Sequence, residues 1–197
     1  CYTDIDGTDH YFVYDDAQAQ YVDEDGYGYT LEISGTTYKV TTPEEITLTF
    51  SYGMLTNVSY EADDEVRSFT LSYTTSSLGG QLQNIKDSSG NIILSFGYNG
   101  YQINSITDAN GDTAYITQTS GNITSFVTAD GETYNYTYSS NRLSSMQHSK
   151  SAYKLSYSYI TSNGISRVSS ISEHKGTSNG QTVKIKYSDK KTVYETS

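Results

Sequence analysis

The chain has no tryptophan, one proline and one cysteine among its 197 residues. A single cysteine cannot form a disulfide within the chain. No apolar run reaches the roughly 20 residues a membrane-crossing helix needs. No segment sustains apolar recurrence at helical spacing, so helix is not expected. Basic residues are scarce, 12 against 23 acidic ones, giving a formal net charge of −11. Phosphate backbones and anionic membrane surfaces repel such a chain, so neither nucleic acid nor membrane insertion is an expected partnership. Three histidines, His10, His148 and His174, are too scattered for a zinc site. No nucleotide-binding glycine loop or G-x-S-x-G occurs, so no catalytic residue, cofactor site or metal site is expected.

What the chain does have is tyrosine, 21 of them, with many Thr, Ser, Asn, Asp and Gly. Tyr and Thr suit a pleated, half-buried surface; Asn, Asp and Gly suit turns. An apolar pair three residues apart recurs as Leu55/Val58, Leu82/Ile85, Ile103/Ile106, Ile123/Phe126, Leu143/Met146 and Val168/Ile171. Successive first members lie 27, 21, 20, 20 and 25 residues apart, one unit with insertions that fall at turns. After each pair comes a turn signal, clearest at Asp87–Gly90, Asp108–Gly111 and Thr128–Gly131. Asp or Thr bonds its own backbone two residues on, and Gly takes a positive φ without strain.

An alternating strand follows each turn: Leu94, Phe96, Tyr98; Tyr134, Tyr136, Tyr138; Tyr153, Leu155, Tyr157, Tyr159. Period two places each set on one face. The expected fold is all-β, an antiparallel meander of stacked β-hairpin repeats forming an open, curved sheet. Tyr136 is expected to be largely buried. A spacing of three puts Leu143 and Met146 on opposite faces of a regular strand, so either both faces are partly covered or a bulge realigns them.

Residues 1–50 read as divergent hairpins and 51–197 as the repeat array, continuous as one domain. Asp4-Ile5-Asp6-Gly7-Thr8 matches the DxDGT signature of haloacid-dehalogenase-type phosphotransferases. It lacks the buried strand before it and the helix after it, so a turn is the expected reading. It is not an EF-hand, because Asp9 and Asp15 stand where Gly and Glu are required. Cys1 reads as an internal position of a longer chain; a lipidated cysteine is the alternative. Charge is segregated: residues 1–65 hold fifteen acidic residues and one basic, Lys39, while residues 141–197 hold nine basic and three acidic. Lys184, Lys186, Lys190 and Lys191 are expected to guard an open sheet edge.

The pattern L-x-S-I, then T-D-x-x-G, then T-x-Y-x-Y resembles the YD, or RHS, repeat of large bacterial surface and secreted proteins. Ile103–Gly111 and Ile123–Tyr138 carry it most clearly. The opening Tyr2–Phe12 and Tyr21–Gly26 also resemble the segment before the repeats in wall-associated members from Gram-positive bacteria. The resemblance implies a non-catalytic structural module, extracellular or cell-wall-associated. Its partners would be other repeats or domains of the same parent protein. In that family long arrays coil into β-shells that enclose a toxic domain or serve in surface contact. This chain has too few repeats for a shell of its own and lacks the self-cleavage region. The alternative is a module binding cell-wall or host glycans through exposed tyrosines.

Overall fold

In the computed structural model, residues 1–74, 80–162, 164–188 and 191–196 are described, Lys191 by its backbone alone. Every regular element among them is a β-strand. The strands fall into two compact units, Cys1–Phe96 and Gly97–Ser197. In the first unit β1 (Tyr2–Thr3) and β2 (Asp9–His10) pair as a small separate hairpin. The rest is an antiparallel meander in chain order. It runs β3 (Phe12–Asp15), β4 (Gln20–Asp23), β5 (Thr30–Ser34), β6 (Thr37–Thr41), β7 (Thr47–Ser51), β8 (Met54–Ala62), β9 (Glu65–Tyr73), β10 (Leu82–Lys86) and β11 (Ile92–Asn99). The unit boundary falls inside β11.

The second unit repeats the pattern. Its strands are β12 (Gln102–Asp108), β13 (Thr113–Thr119), β14 (Asn122–Val127), β15 (Thr133–Ser139), β16 (Arg142–His148), β17 (Tyr153–Ser162), β18 (Ile165–Lys175), β19 (Ser178–Ser188) and β20 (Lys191–Thr196). Each pairs antiparallel with the next. The all-β antiparallel meander expected from the sequence is therefore the observed fold.

A bulge answers the three-residue spacing. Thr137 faces Ser145 but Tyr138 faces Leu143, so Ser144 is an extra residue in β16. The same shift leaves Thr56 extra against β7, Gln83 against β9, Thr124 against β13 and Ser169 against β17. In each case the extra residue sits between the two apolar residues. It turns both onto one face, Leu143 opposite Tyr138 and Met146 opposite Tyr136. Small hydroxyl side chains suit the position because they bond back across the strand. Thr56 donates to the Thr49 carbonyl at 3.1 Å, Thr124 to the Thr117 carbonyl at 3.3 Å, and the Ser144 and Thr137 hydroxyls meet at 2.8 Å.

Burial is thin. Val40 is the one buried hydrophobic residue among the described residues, and no large side chain there is fully enclosed. Tyr136 is half-buried. In β15 the tyrosine face is half-buried and the opposite face, with Asn135, Thr137 and Ser139, is exposed. Stability then rests on the backbone ladders and on cross-strand pairs of about 0.2–1 kcal/mol each. Lys184 and Lys186 do not guard an edge either, since β19 has β18 on one side and β20 on the other. The Lys186 ammonium donates to Glu195 at 2.8 Å. Lys190 and the Lys191 side chain lie outside the described residues.

Candidate functional site

The turn residues singled out in the sequence build one recurring loop. The Asp87 amide donates to the Asn91 carbonyl (2.9 Å) and the Gly90 amide to the Asp87 carbonyl (3.0 Å). Asp87 Oδ1 accepts from the amides of Ser89 (2.9 Å) and Asn91 (2.8 Å). Asp108 does the same for Asn110 and Asp112, both at 2.9 Å. Thr128 takes the position through its hydroxyl, which accepts from the Glu132 amide at 2.9 Å. Gly90, Gly111 and Gly131 close these loops at φ of +84°, +90° and +81°, where a β-carbon is strained. Asp4 builds the same loop, with Oδ1 accepting from Asp6 and Thr8, both at 2.9 Å. The DxDGT stretch is thus a hairpin turn between β1 and β2, away from any helix N-terminus.

The strand-end tyrosines share a task the sequence did not reveal. Tyr138 donates its hydroxyl to the Ile123 carbonyl (2.9 Å), Tyr159 to Leu143 (2.8 Å), Tyr73 to Leu55 (2.7 Å) and Tyr187 to Val168 (2.7 Å). Each acceptor is the first member of the apolar pair in its bulged strand. The ladder to the following strand has stopped two residues later, at Ser145 for Leu143 and at Ser125 for Ile123. The bulge frees a carbonyl, and the tyrosine of the next strand reaches over to satisfy it. Arg142 and Arg167 lie over the Tyr159 and Tyr187 rings at 5.8 and 5.6 Å, in cation–π range. In one unit Gln118 replaces the tyrosine and donates to the Ile103 carbonyl at 3.1 Å. Tyr98, at the end of β11, is half-buried, and burial raises its pKa. Tyr134 stands opposite His148 with ring centroids 5.1 Å apart, and Tyr157 faces Ile171.

Two clusters of titratable groups went unseen in the sequence. His10 is 2% exposed, and its ring lies between two carboxylates. Nε2 meets Asp4 Oδ2 at 3.1 Å, and Nδ1 faces Asp23 Oδ1 at 3.5 Å. The second distance is longer than a hydrogen bond, and neither atom has one among the described residues. Tyr29 covers the imidazole at 4.1 Å between centroids; Tyr2 stacks at 5.9 Å and Tyr27 meets it edge-on at 5.8 Å. The contact with His10 holds the Asp4 carboxyl below its usual range, helped by the Thr8 amide. Burial raises the phenols of Tyr2 and Tyr29. The ring is walled off from any substrate, so the arrangement clamps the β1–β2 hairpin against β4. Histidine and two aspartates separated by turns carry no local sequence pattern, which is why it escaped notice.

In the second cluster Glu132 accepts from Lys150 at 2.8 Å and contacts His148, whose Nδ1 meets the Ser151 hydroxyl at 2.7 Å. The lysine first, then the histidine, keeps the Glu132 carboxyl low. The residues belong to one hairpin and its neighbour, at an exposed rim. Among the described residues no three His, Cys, Asp or Glu side chains are grouped to hold a metal ion.

The first unit also carries an apolar groove of about 590 Å3, lined by Tyr2, Phe12, Leu31, Ile33, Val40 and Phe50 among others. No helix among the described residues is long and apolar enough to cross a membrane. No family model matches the chain, and no curated protein matches it. Among solved structures it is similar to a porin-like protein from Bacteroides uniformis. That likeness has 14% identity and a TM-score of 0.40, over 95% of this chain and 87% of the other, and is too distant to bear on function.

Proposed function

We propose that this chain is a non-catalytic scaffold segment of an exported bacterial surface or toxin-delivery protein, built of YD-type repeats and associating with further repeats and domains of its parent. The observation that supports it is the repeated bulge with its tyrosine bond. In successive repeats a tyrosine hydroxyl is bonded to the backbone of the preceding strand. An enzyme would aim such groups at a cleft. The His10 cluster fits the same reading, since it is closed over by tyrosine rings. Screening for phosphatase and glycosidase turnover tests the proposal. No activity is the expected result, and turnover abolished by Asp4→Asn or His10→Ala overturns it.

The second reading is a glycan-binding module. Tyrosines that stand free of the backbone bonds favour it, among them Tyr101 at 65% and Tyr115 at 56% exposure. Exposed rings of this kind are stacking surfaces for sugars. A glycan array on the intact chain separates the two readings.

A further inference from the structure

In β13 the tyrosine of the repeat is replaced. Where the neighbouring units put a tyrosine ring, β13 has Gln118, which reaches the same kind of carbonyl, that of Ile103, with an amide. A groove of about 280 Å3 lies at this contact, lined by Asn99, Gln102, Asn104, Gln118, Ile103 and Tyr115 among others. No charged side chain lines it. From this we infer that the groove is a subsite for one neutral saccharide ring, an inference that rests on the glycan-binding reading above.

The chemistry narrows the ligand. Four side-chain amides each offer donors and an acceptor, the mixture that vicinal hydroxyls require. An apolar ligand would strip water from those amides and return no hydrogen bond, at a cost of about 1–3 kcal/mol for each group left unpaired. An anionic ligand would find no cation in the lining and would approach a chain of net charge −11. Tyr115, 56% exposed, supplies a ring face for the C–H side of a pyranose. The volume falls just under the roughly 300 Å3 at which pockets for drug-sized ligands begin. It fits one ring of a longer glycan.

The test is titration of the intact protein with cellotetraose, maltotetraose and chitotetraose, followed by amide chemical shifts. Gln118→Tyr places in the groove the ring that Tyr138 and Tyr159 place in theirs. It can bond to the same carbonyl, so the fold survives and the melting temperature is kept. Tyr115→Ala removes the stacking face, and Tyr194→Ala, on another exposed tyrosine, is the control. The expected result is shifts at Asn99, Gln102, Asn104 and Gln118 with at least one oligosaccharide. Affinity should fall about tenfold or more in the two groove variants, equal to about 1.4 kcal/mol, and hold in the control. Binding that survives both groove variants, with shifts elsewhere, overturns the subsite and leaves the glycan reading standing. No shift with any of the sugars overturns both.

Discussion

At the residue scale the tyrosine hydroxyl matters as much as the ring. Tyr138 and Tyr159 each satisfy a carbonyl that the bulge has removed from its ladder, at 2.9 and 2.8 Å. A neutral hydrogen bond of this kind is worth about 0.5–1.5 kcal/mol net. Tyr159→Phe should therefore cost about 1 kcal/mol, while Tyr157→Phe, at a position facing Ile171, should cost less. Urea unfolding of both variants checks this. Equal losses would mean that the hydroxyl of Tyr159 contributes nothing. Tyr136→Ala should cost about 1–3 kcal/mol, below the 3–5 kcal/mol of an enclosed aromatic, because the ring is only partly buried. His10 is the contrasting case. Replacing it by Ala removes the Nε2 contact with Asp4 and empties a place covered by the Tyr29, Tyr2 and Tyr27 rings, and truncating an enclosed aromatic side chain costs about 3–5 kcal/mol. If the loss is under about 1 kcal/mol, the size of an ordinary surface change, the cluster is no clamp.

At the element scale the unit is a hairpin with two kinds of turn. The Asp or Thr loop ends on a glycine in the left-handed region. A second kind puts both central residues there, as at Ser120-Gly121 and Ser140-Asn141. Two-residue hairpin turns of this kind prefer Asn followed by Gly. Ser140→Asn with Asn141→Gly should thus stabilise the β15–β16 hairpin by about 0.5–1 kcal/mol, and Gly111→Ala, at φ +90°, should destabilise by about 1–2 kcal/mol. Thermal melts of the two variants should shift in opposite directions. These elements were legible because turn chemistry and period-two alternation are local. The Asp108–Gly111 loop and the Tyr134, Tyr136, Tyr138 row could be read from a dozen residues. The bulge was half legible, as a spacing that did not fit. Its residue Ser144 is recognisable only against the facing strand, since the extra residue is defined by what it lacks across the ladder. The tyrosine bond spans 15 to 19 residues, and the His10 clamp joins a turn, β2 and β4. Neither leaves a periodic trace, so no reading of windows along the chain could reveal them.

For the whole molecule, the same contacts fix how stability depends on pH. The carboxyls of Asp4, Asp87, Asp130 and Glu132 are all held below their ordinary values. The chief causes are His10, the Asn91 side chain, the Thr128 hydroxyl and Lys150 respectively. A depressed folded-state pKa adds stability that is complete above the unfolded value, about 4, and is lost as pH falls through the folded one. Acid also relieves the self-repulsion of a chain carrying −11, which acts in the opposite sense. Salt separates the two, because it screens distant charges and leaves short hydrogen-bonded contacts largely intact. At the alkaline end, burial raises the phenols of Tyr2, Tyr29, Tyr98 and Tyr136, and a hydrogen bond to Glu173 raises that of Tyr153. A raised folded-state pKa adds stability that is complete below about 10 and disappears as pH climbs through the folded value. Urea unfolding across the pH range should therefore give a plateau between these limits. It should drop below about pH 4 in high salt as well as low, and drop again above about pH 10 as tyrosinate absorbance rises. If the acid drop vanished in high salt, the carboxylate contacts would count for nothing beyond net charge. If stability held steady through tyrosine ionisation, the rings would not be packed as the strands place them.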